Sequence, residues 1–362
     1  MRAVLSGELP DRVPFFPTIF TDHACLACDR SFEESIVDPA LGQRCMLGAA
    51  LRYETDVVRF LMGPPASWYE EKHVCECDGK MTQFLRKSGQ LEGHYDVAGG
   101  GFFVPLEKQK PIRSLSEVAE IPVPTAEEYL QRGYLKDVAP LVKEAKEKGL
   151  FTVGMCGKQT IGFMVDYLGG TEPALMSFYD DPELAKALIA KGVAHSVERG
   201  KAFIEIGVDC IYIGDSYASG SVISPDIFRN FCVPAYREAA QEFHRLGVFC
   251  YQHCCGNYNP LLDAFVEIGV DAMDGLDPTS GMSVRRTKEK IGDRVTLMGG
   301  ISCLTLLGGT PEQVYEEAKT CIMEGKPGGR YVLGSACAVP RKSPPENLLV
   351  AKRAAVDFGH YG

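Results

Sequence analysis

The sequence predicts an α/β protein of the TIM (β/α)8 barrel type, with an N-terminal extension and a β-hairpin insertion. Three observations carry this. From residue 126 onward, short apolar strands alternate with helical segments across short links, the pattern of a parallel sheet covered by helices. Six such strands follow residue 149, and the apolar run Thr55–Leu61 supplies a seventh, one short of a closed eightfold barrel. His253, Cys255, Cys337 and the run Gly214-Asp-Ser216 all fall at the carboxyl ends of predicted strands, where barrel enzymes carry their chemistry.

Size and composition agree with that class. The chain has 362 residues, 45% hydrophobic and 24% charged, which suits one large barrel with insertions. We read 1–362 as a single domain, with 1–125 holding the extension, first strand and hairpin, and 126–362 the regular part. The net charge of −10, spread without long runs, argues against a nucleic acid or an anionic membrane surface as partner. Met1-Arg-Ala-Val-Leu-Ser-Gly has no apolar core of signal-peptide length, and no run approaches a membrane span. The expected location is cytoplasmic, where fourteen cysteines read as reduced thiols or metal ligands rather than disulfides.

In chain order, Asp11-Arg-Val-Pro14 precedes an apolar-aromatic run from Phe15 to Phe20. Cys25-x-x-Cys28 follows without a thioredoxin-like context and reads as structural or chance. Residues 39–52 read as a helix. His73-Val-Cys75-Glu-Cys77 is a second His-x-Cys, but the turn signal Asp78-Gly79 after it makes it one arm of an exposed hairpin. Gly99-Gly-Gly101 marks another bend, and the proline-spaced stretch 105–125 reads as a linker. Helices are expected at 126–148, 160–169, 173–206, 225–246, 258–268, 283–291, 311–325 and 345–358. The strands between them are Leu150–Met155, Asp209–Ile213, Val248–His253, Val270–Met273, Val295–Met298 and Tyr331–Leu333. No G-x-G-x-x-G joins a strand to a helix, so a dinucleotide fold lacks its main sign.

The stretch Tyr251-Gln-His-Cys-Cys-Gly256 carries the chemistry. Residues two apart on a strand point to the same side, so His253 and Cys255 can grip one ion. An imidazole and a thiolate suggest zinc, with a third donor on a distant strand end. Cys337, just after the apolar run ending at Gly334, fits that place. Asp215, closing the strand Asp209–Ile213, suits either orienting a substrate or ligand histidine or holding a loop. Asp271, Asp274 and Asp277 form a run at the next strand end, any one of which can face the site, and Tyr217 and Tyr251 serve equally as packing or contact residues.

A set of motifs resembles the uroporphyrinogen decarboxylase superfamily over nearly the whole chain. They are Asp11-Arg-Val-Pro14, Asp180-Asp-Pro182, Gly207-Val-Asp209, Asp215-Ser216 with Ser224-Pro225-Asp226-Ile-Phe228, Pro234-Ala-Tyr236, Met298-Gly-Gly-Ile301, Thr310-Pro-Glu-Gln-Val314 and Ser343-Pro-Pro-Glu-Asn347. Within it the chain resembles the methyltransferase branch, which includes methylcobamide:coenzyme M methyltransferases. That branch holds zinc on His-x-Cys plus a distant Cys, a pattern that lands on His253, Cys255 and Cys337. The resemblance implies a barrel and methyl exchange between a small substrate and a corrinoid (methylcobalamin-type) cofactor. The substrate is a thiol acceptor or a methylated or methoxylated donor, which would make O-demethylation one possible direction. The Asp-x-His-x-x-Gly of corrinoid-binding modules is absent, so a separate corrinoid protein is the expected partner.

The decarboxylase branch is the alternative enzyme. It has an arginine-rich amino-terminal motif, whereas Phe15–Cys28 here contains no arginine. Its Gly-His-Gly near the end is replaced by Ala336-Cys337-Ala338. A non-catalytic zinc-bearing barrel that binds a corrinoid protein or ligand is the other alternative.

Overall fold

The computed structural model describes residues 1–107 and 109–361. In chain order the strands are β1 (Val57–Phe60), β2 (Lys72–Cys77), β3 (Lys80–Leu85), β4 (Leu91–Asp96), β5 (Phe102–Pro105), β6 (Phe151–Met155), β7 (Cys210–Gly214), β8 (Phe249–His253), β9 (Ala272–Asp274), β10 (Thr296–Ile301) and β11 (Tyr331–Ser335). Seven of them form one parallel sheet in the order β1-β6-β7-β8-β9-β10-β11, and β2 to β5 form a separate antiparallel sheet. Sequential order with helical returns is the barrel topology that the alternation predicts.

The eighth place, which the sequence left unfilled, goes to the segment Pro14–Thr18. Phe16 N donates to Leu333 O at 2.8 Å and Leu333 N to Pro14 O at 2.9 Å, while on the other side Asp56 N donates to Phe15 O at 2.9 Å. The segment thus touches both edges of the sheet. Pro14 and Pro17 have no N–H to give a ladder, so only isolated parallel bridges form, Phe15 to Leu333 and Thr18 to Ala338.

Strand alternation sorts the side chains into two sets. Val57, Val153, Tyr212, Tyr251, Ala272, Met298 and Val332 meet inside the barrel, where Val4 and Leu5 of the helix Arg2–Ser6 join them. Val58, Phe60, Ile211, Ile213, Cys250, Met273, Leu297 and Leu333 face the surrounding helices. Period two also sends Arg59 and His253 inward, above this packed layer.

Several predicted elements are interrupted. The single helix expected over 126–148 is two, Ala126–Gln131 and Ala139–Glu147, because the chain turns at Gly133 with φ 75°. The expected 173–206 helix divides at Asp181, whose side chain caps the helix Pro182–Glu205. The segment 225–246 contains a π-helical turn at Phe228–Cys232. The hairpin holds as expected, with Asp78 and Gly79 at φ 50° and 74°, but it continues into the four-stranded sheet. Within the supposed linker a short helix, Leu115–Ala119, is tied down by Lys191 Nζ on Ala119 O at 3.1 Å. Among the described residues, no helix is long and apolar enough to cross a membrane.

Candidate metal centre

β8 ends at His253, and its register pairs His253 with Asp274 of β9 and with Gly214 of β7. Paired residues of parallel strands present their side chains to the same face, so His253 and Asp274 both enter the barrel mouth. Two residues further on, Cys255 returns to the same side. Cys337 arrives two residues after β11, where Ser335 pins it: Ser335 Oγ donates to Cys337 O at 2.6 Å and accepts from Thr18 N at 2.8 Å. The eighth strand therefore helps to fix Cys337. Gly275, at φ 111°, allows the end of β9 to crowd the turn after β8, since a Cβ there would stand 2.2 Å from Cys254 O.

The three donors converge. His253 Nε2 lies 2.8 Å from Cys255 Sγ and 3.8 Å from Cys337 Sγ, and the two sulfurs are 3.5 Å apart. These ligand atoms all lie within 4.8 Å of one another, and among the described residues no other such group of three forms. A tetrahedral zinc with ordinary bond lengths needs edges of about 3.7 Å between two sulfurs and about 3.5 Å between nitrogen and sulfur. The triangle meets two of these edges closely, and opening the short His253–Cys255 edge by roughly 0.7 Å meets the third. The donor set fits the metal.

Electrostatics point the same way. Burial works to lower the pKa of His253, but Asp274, whose Oδ2 is 3.3 Å from Nδ1, and the Cys337 sulfur overcome it and lift it to about 9. Cys337 is held down at about 4, first by the hydrogen bond from Cys255 and then, against burial, by His253. Cys255 is pushed up, first by Cys337 and then by burial. Without metal, the surroundings favour the protonated form of His253 and the thiolate of Cys337, while Cys255 is pushed towards keeping its proton. A cation would replace those protons, as binding to thiolates and neutral imidazole requires.

Two residues stand behind this cluster, one of three aspartates that the sequence offered and one, Arg59, that it did not single out. Asp274 alone of the three aspartates faces the site; Asp271 bonds His244 and Cys250 N, and Asp277 bonds Thr279. Arg59 is only 2% exposed, and its Nη2 lies 3.7 Å from Asp274 Oδ2 and donates to Tyr251 OH at 2.6 Å. The rings of Phe16, Phe20, Tyr212 and Tyr251 surround its guanidinium at 5.1 to 5.9 Å. An arginine inside an apolar strand gives no sign of its partner; only the inward alternation from Val57 hints at it. Tyr251 is thus a contact residue, one step removed from the cluster.

Asp215 is turned elsewhere. It accepts from Gly162 N at 2.6 Å, Tyr217 N at 3.0 Å and Thr160 Oγ1 at 3.0 Å, and burial raises its pKa against these bonds. It holds the loop after β6 and the start of the helix Ile161–Leu168, and none of its hydrogen bonds among the described residues reaches His253, Cys255 or Cys337. In the rival motif, Cys75 and Cys77 Sγ are 3.6 Å apart on β2, with no third donor gathered among the described residues.

The chain is a parallel α/β barrel with three soft donors, His253, Cys255 and Cys337, gathered at its mouth. Residues 105–357 match the profile of the family described as Uroporphyrinogen decarboxylase (URO-D), and the chain belongs to this family. It is 31% identical over 191 residues to a methylated-thiol–coenzyme M methyltransferase from Methanosarcina mazei, covering 52% of this chain and 48% of that one. It is 31% identical over 161 residues to the methylcobamide:CoM methyltransferase MtaA of Methanosarcina barkeri, covering 44% and 45%. It is 30% identical over 216 residues to a uroporphyrinogen decarboxylase from Chlorobium luteolum, covering 58% of each. The chain thus spans about half the length of the curated relatives it matches. A methyltransferase structure from Methanosarcina mazei has the same fold, with a TM-score of 0.73 at 23% identity, over 98% of this chain and 97% of that one.

Proposed function

We propose that this protein is a zinc-dependent methyltransferase that moves a methyl group between a small substrate and the cobalt of a separate corrinoid protein. The observation that carries the reading is the convergence of His253 Nε2, Cys255 Sγ and Cys337 Sγ at the barrel mouth. Two of the relatives are named as coenzyme M methyltransferases, one of them acting on a methylcobamide. His253, Cys255 and Cys337 would hold zinc through three protein donors and leave a fourth position open. When bound, zinc supplies a Lewis acid that favours a thiolate at neutral pH or takes up charge developing on a leaving oxygen.

The chain's own residues prepare that centre. Asp274 faces His253 Nδ1, which would leave Nε2 to hold the metal. Arg59 and Thr18 hold Asp274 in turn, with Thr18 Oγ1 3.4 Å from Oδ2. Asp215 fixes the loop 158–162 beside the mouth, so we assign it a positioning role. The corrinoid protein would dock over the mouth, and the free cysteines agree with a reducing, cytoplasmic setting.

The decarboxylase reading draws on relatives named for that activity. Against it, Arg59 inside the barrel is already paired with Asp274, so that cation is not free for a substrate with many carboxylates.

The experiment is a spectroscopic methyl-transfer assay. The protein is incubated with cob(I)alamin and a panel of methyl ethers and methylamines, or with methylcobalamin and a panel of thiols, and the cobalt spectrum is followed. Methylation or demethylation that disappears in His253→Ala supports the reading. Loss of carboxylates from uroporphyrinogen with silent methyl assays would establish the decarboxylase instead. Silence in both would leave the zinc-bearing binding protein.

A further inference from the structure

At the barrel rim, beside the helices Ala126–Gln131 and Pro182–Glu205, lies a cavity of about 550 Å³ that the metal-centre reading does not use. That volume falls within the range of small-molecule sites. Met62 and Gly63, which follow β1, and Cys156 to Lys158, which follow β6, contribute to its lining, so the cavity lies at the carboxyl end of the strands.

Its walls are aromatic. Tyr129 and Tyr134 pack edge to face with centroids 5.2 Å apart, and Phe163 and Tyr167 lie 4.7 Å apart. Its charges leave one cation over. Lys158 Nζ is taken by Asp166, bonding its two oxygens at 2.7 and 3.0 Å. His195 faces Tyr129 OH through Nδ1 at 3.5 Å, and burial lowers its pKa, which works against a charge there. Arg199 remains. Its Nε is buried with no hydrogen-bond partner, and among the described residues no carboxylate forms an ion pair with it.

Arg199 is half-buried, and a guanidinium nitrogen shut away from water without a partner is costly unless something supplies one. The approach of Arg199 is also provided for. Gly157 has φ 89°, and a Cβ there would stand 2.9 Å from Arg199 Nη1, so a side chain at 157 would displace the guanidinium. Asp215 steadies the following stretch through Thr160 and Gly162.

We propose that this cavity binds a small aromatic carboxylate, its ring against Tyr129, Tyr134, Phe163 and Tyr167 and its carboxylate on Arg199. One net positive charge complements a monoanion, and the flat guanidinium matches a carboxylate in a two-point contact. The rings select an aryl group over a free inorganic anion.

Isothermal titration with benzoate, benzamide and inorganic phosphate tests this. Benzoate is expected to bind, with benzamide and phosphate each weaker by roughly tenfold or more. Arg199→Gln is expected to weaken benzoate by a similar factor with an unchanged circular dichroism spectrum. Gly157→Ala should do the same by displacing the guanidinium, and it becomes the deciding variant if Arg199→Gln does not fold. No binding of benzoate, equal binding of benzamide, tighter binding of phosphate, or a folded variant of either kind with full benzoate affinity overturns the proposal. Because the readout is binding and not turnover, the result is independent of whether the methyl-transfer reading stands.

Discussion

Asp274→Asn probes the centre from behind. The substitution keeps the shape of the side chain and removes the charge 3.3 Å from His253 Nδ1 and 3.7 Å from Arg59 Nη2. Two effects follow, and they can be separated. Removing a carboxylate that orients a ligand histidine weakens metal binding by about 10- to 100-fold, or about 1.4 to 2.8 kcal/mol. Leaving Arg59 buried without its counter-charge costs about 3 to 5 kcal/mol of stability. Arg59 is 2% exposed, so solvent does little to soften that cost. Zinc affinity is read by competition with a chromophoric chelator, and stability by urea unfolding of the metal-free protein. The double variant Arg59→Met with Asp274→Asn removes both buried charges, so it should recover much of the stability without recovering zinc affinity. An Asp274→Asn protein that holds zinc as tightly as the wild type would refute the coupling of Asp274 to the metal. So would full recovery of zinc affinity in the double variant.

Other outcomes follow from the same geometry. Elemental analysis of the purified protein should return roughly one zinc per chain, which Cys337→Ala should mostly lose and Cys75→Ala should keep; the reverse would move the site to the hairpin. The chain alone should pass through gel filtration without retaining cobalamin, and co-elution would overturn the assignment of the corrinoid to a separate protein. His244 is raised above 6.5, first by its hydrogen bond to Asp271 and against burial. Its contribution to stability is therefore complete below the unfolded pKa of about 6.5 and lost as pH rises through the folded value. The pair is partly exposed, so wild type should exceed His244→Gln by less than about 1 kcal/mol at pH 5.5 and by nothing at pH 9. A gap that widens with pH would contradict this sign.

The sequence by itself determined the local pattern. The alternation of strands and helices defines the barrel because period two and period 3.6 are written into neighbouring residues. The hairpin at Asp78-Gly79 and the helix Pro39–Arg52 are equally local. His253 and Cys255 were legible as a pair because a strand repeats its direction every second residue, and Cys337 because it too closes a strand. Tertiary structure decided the rest. Pro14 and Pro17 hide the eighth strand from any pattern, and only the two open sheet edges at β11 and β1 give Pro14–Thr18 its place. Asp274 could be chosen among three aspartates only by the β8–β9 register, which sets it opposite His253. Arg59 lies 215 residues from Asp274, and their pairing depends on closure of the sheet around a shared interior, a condition no local pattern carries.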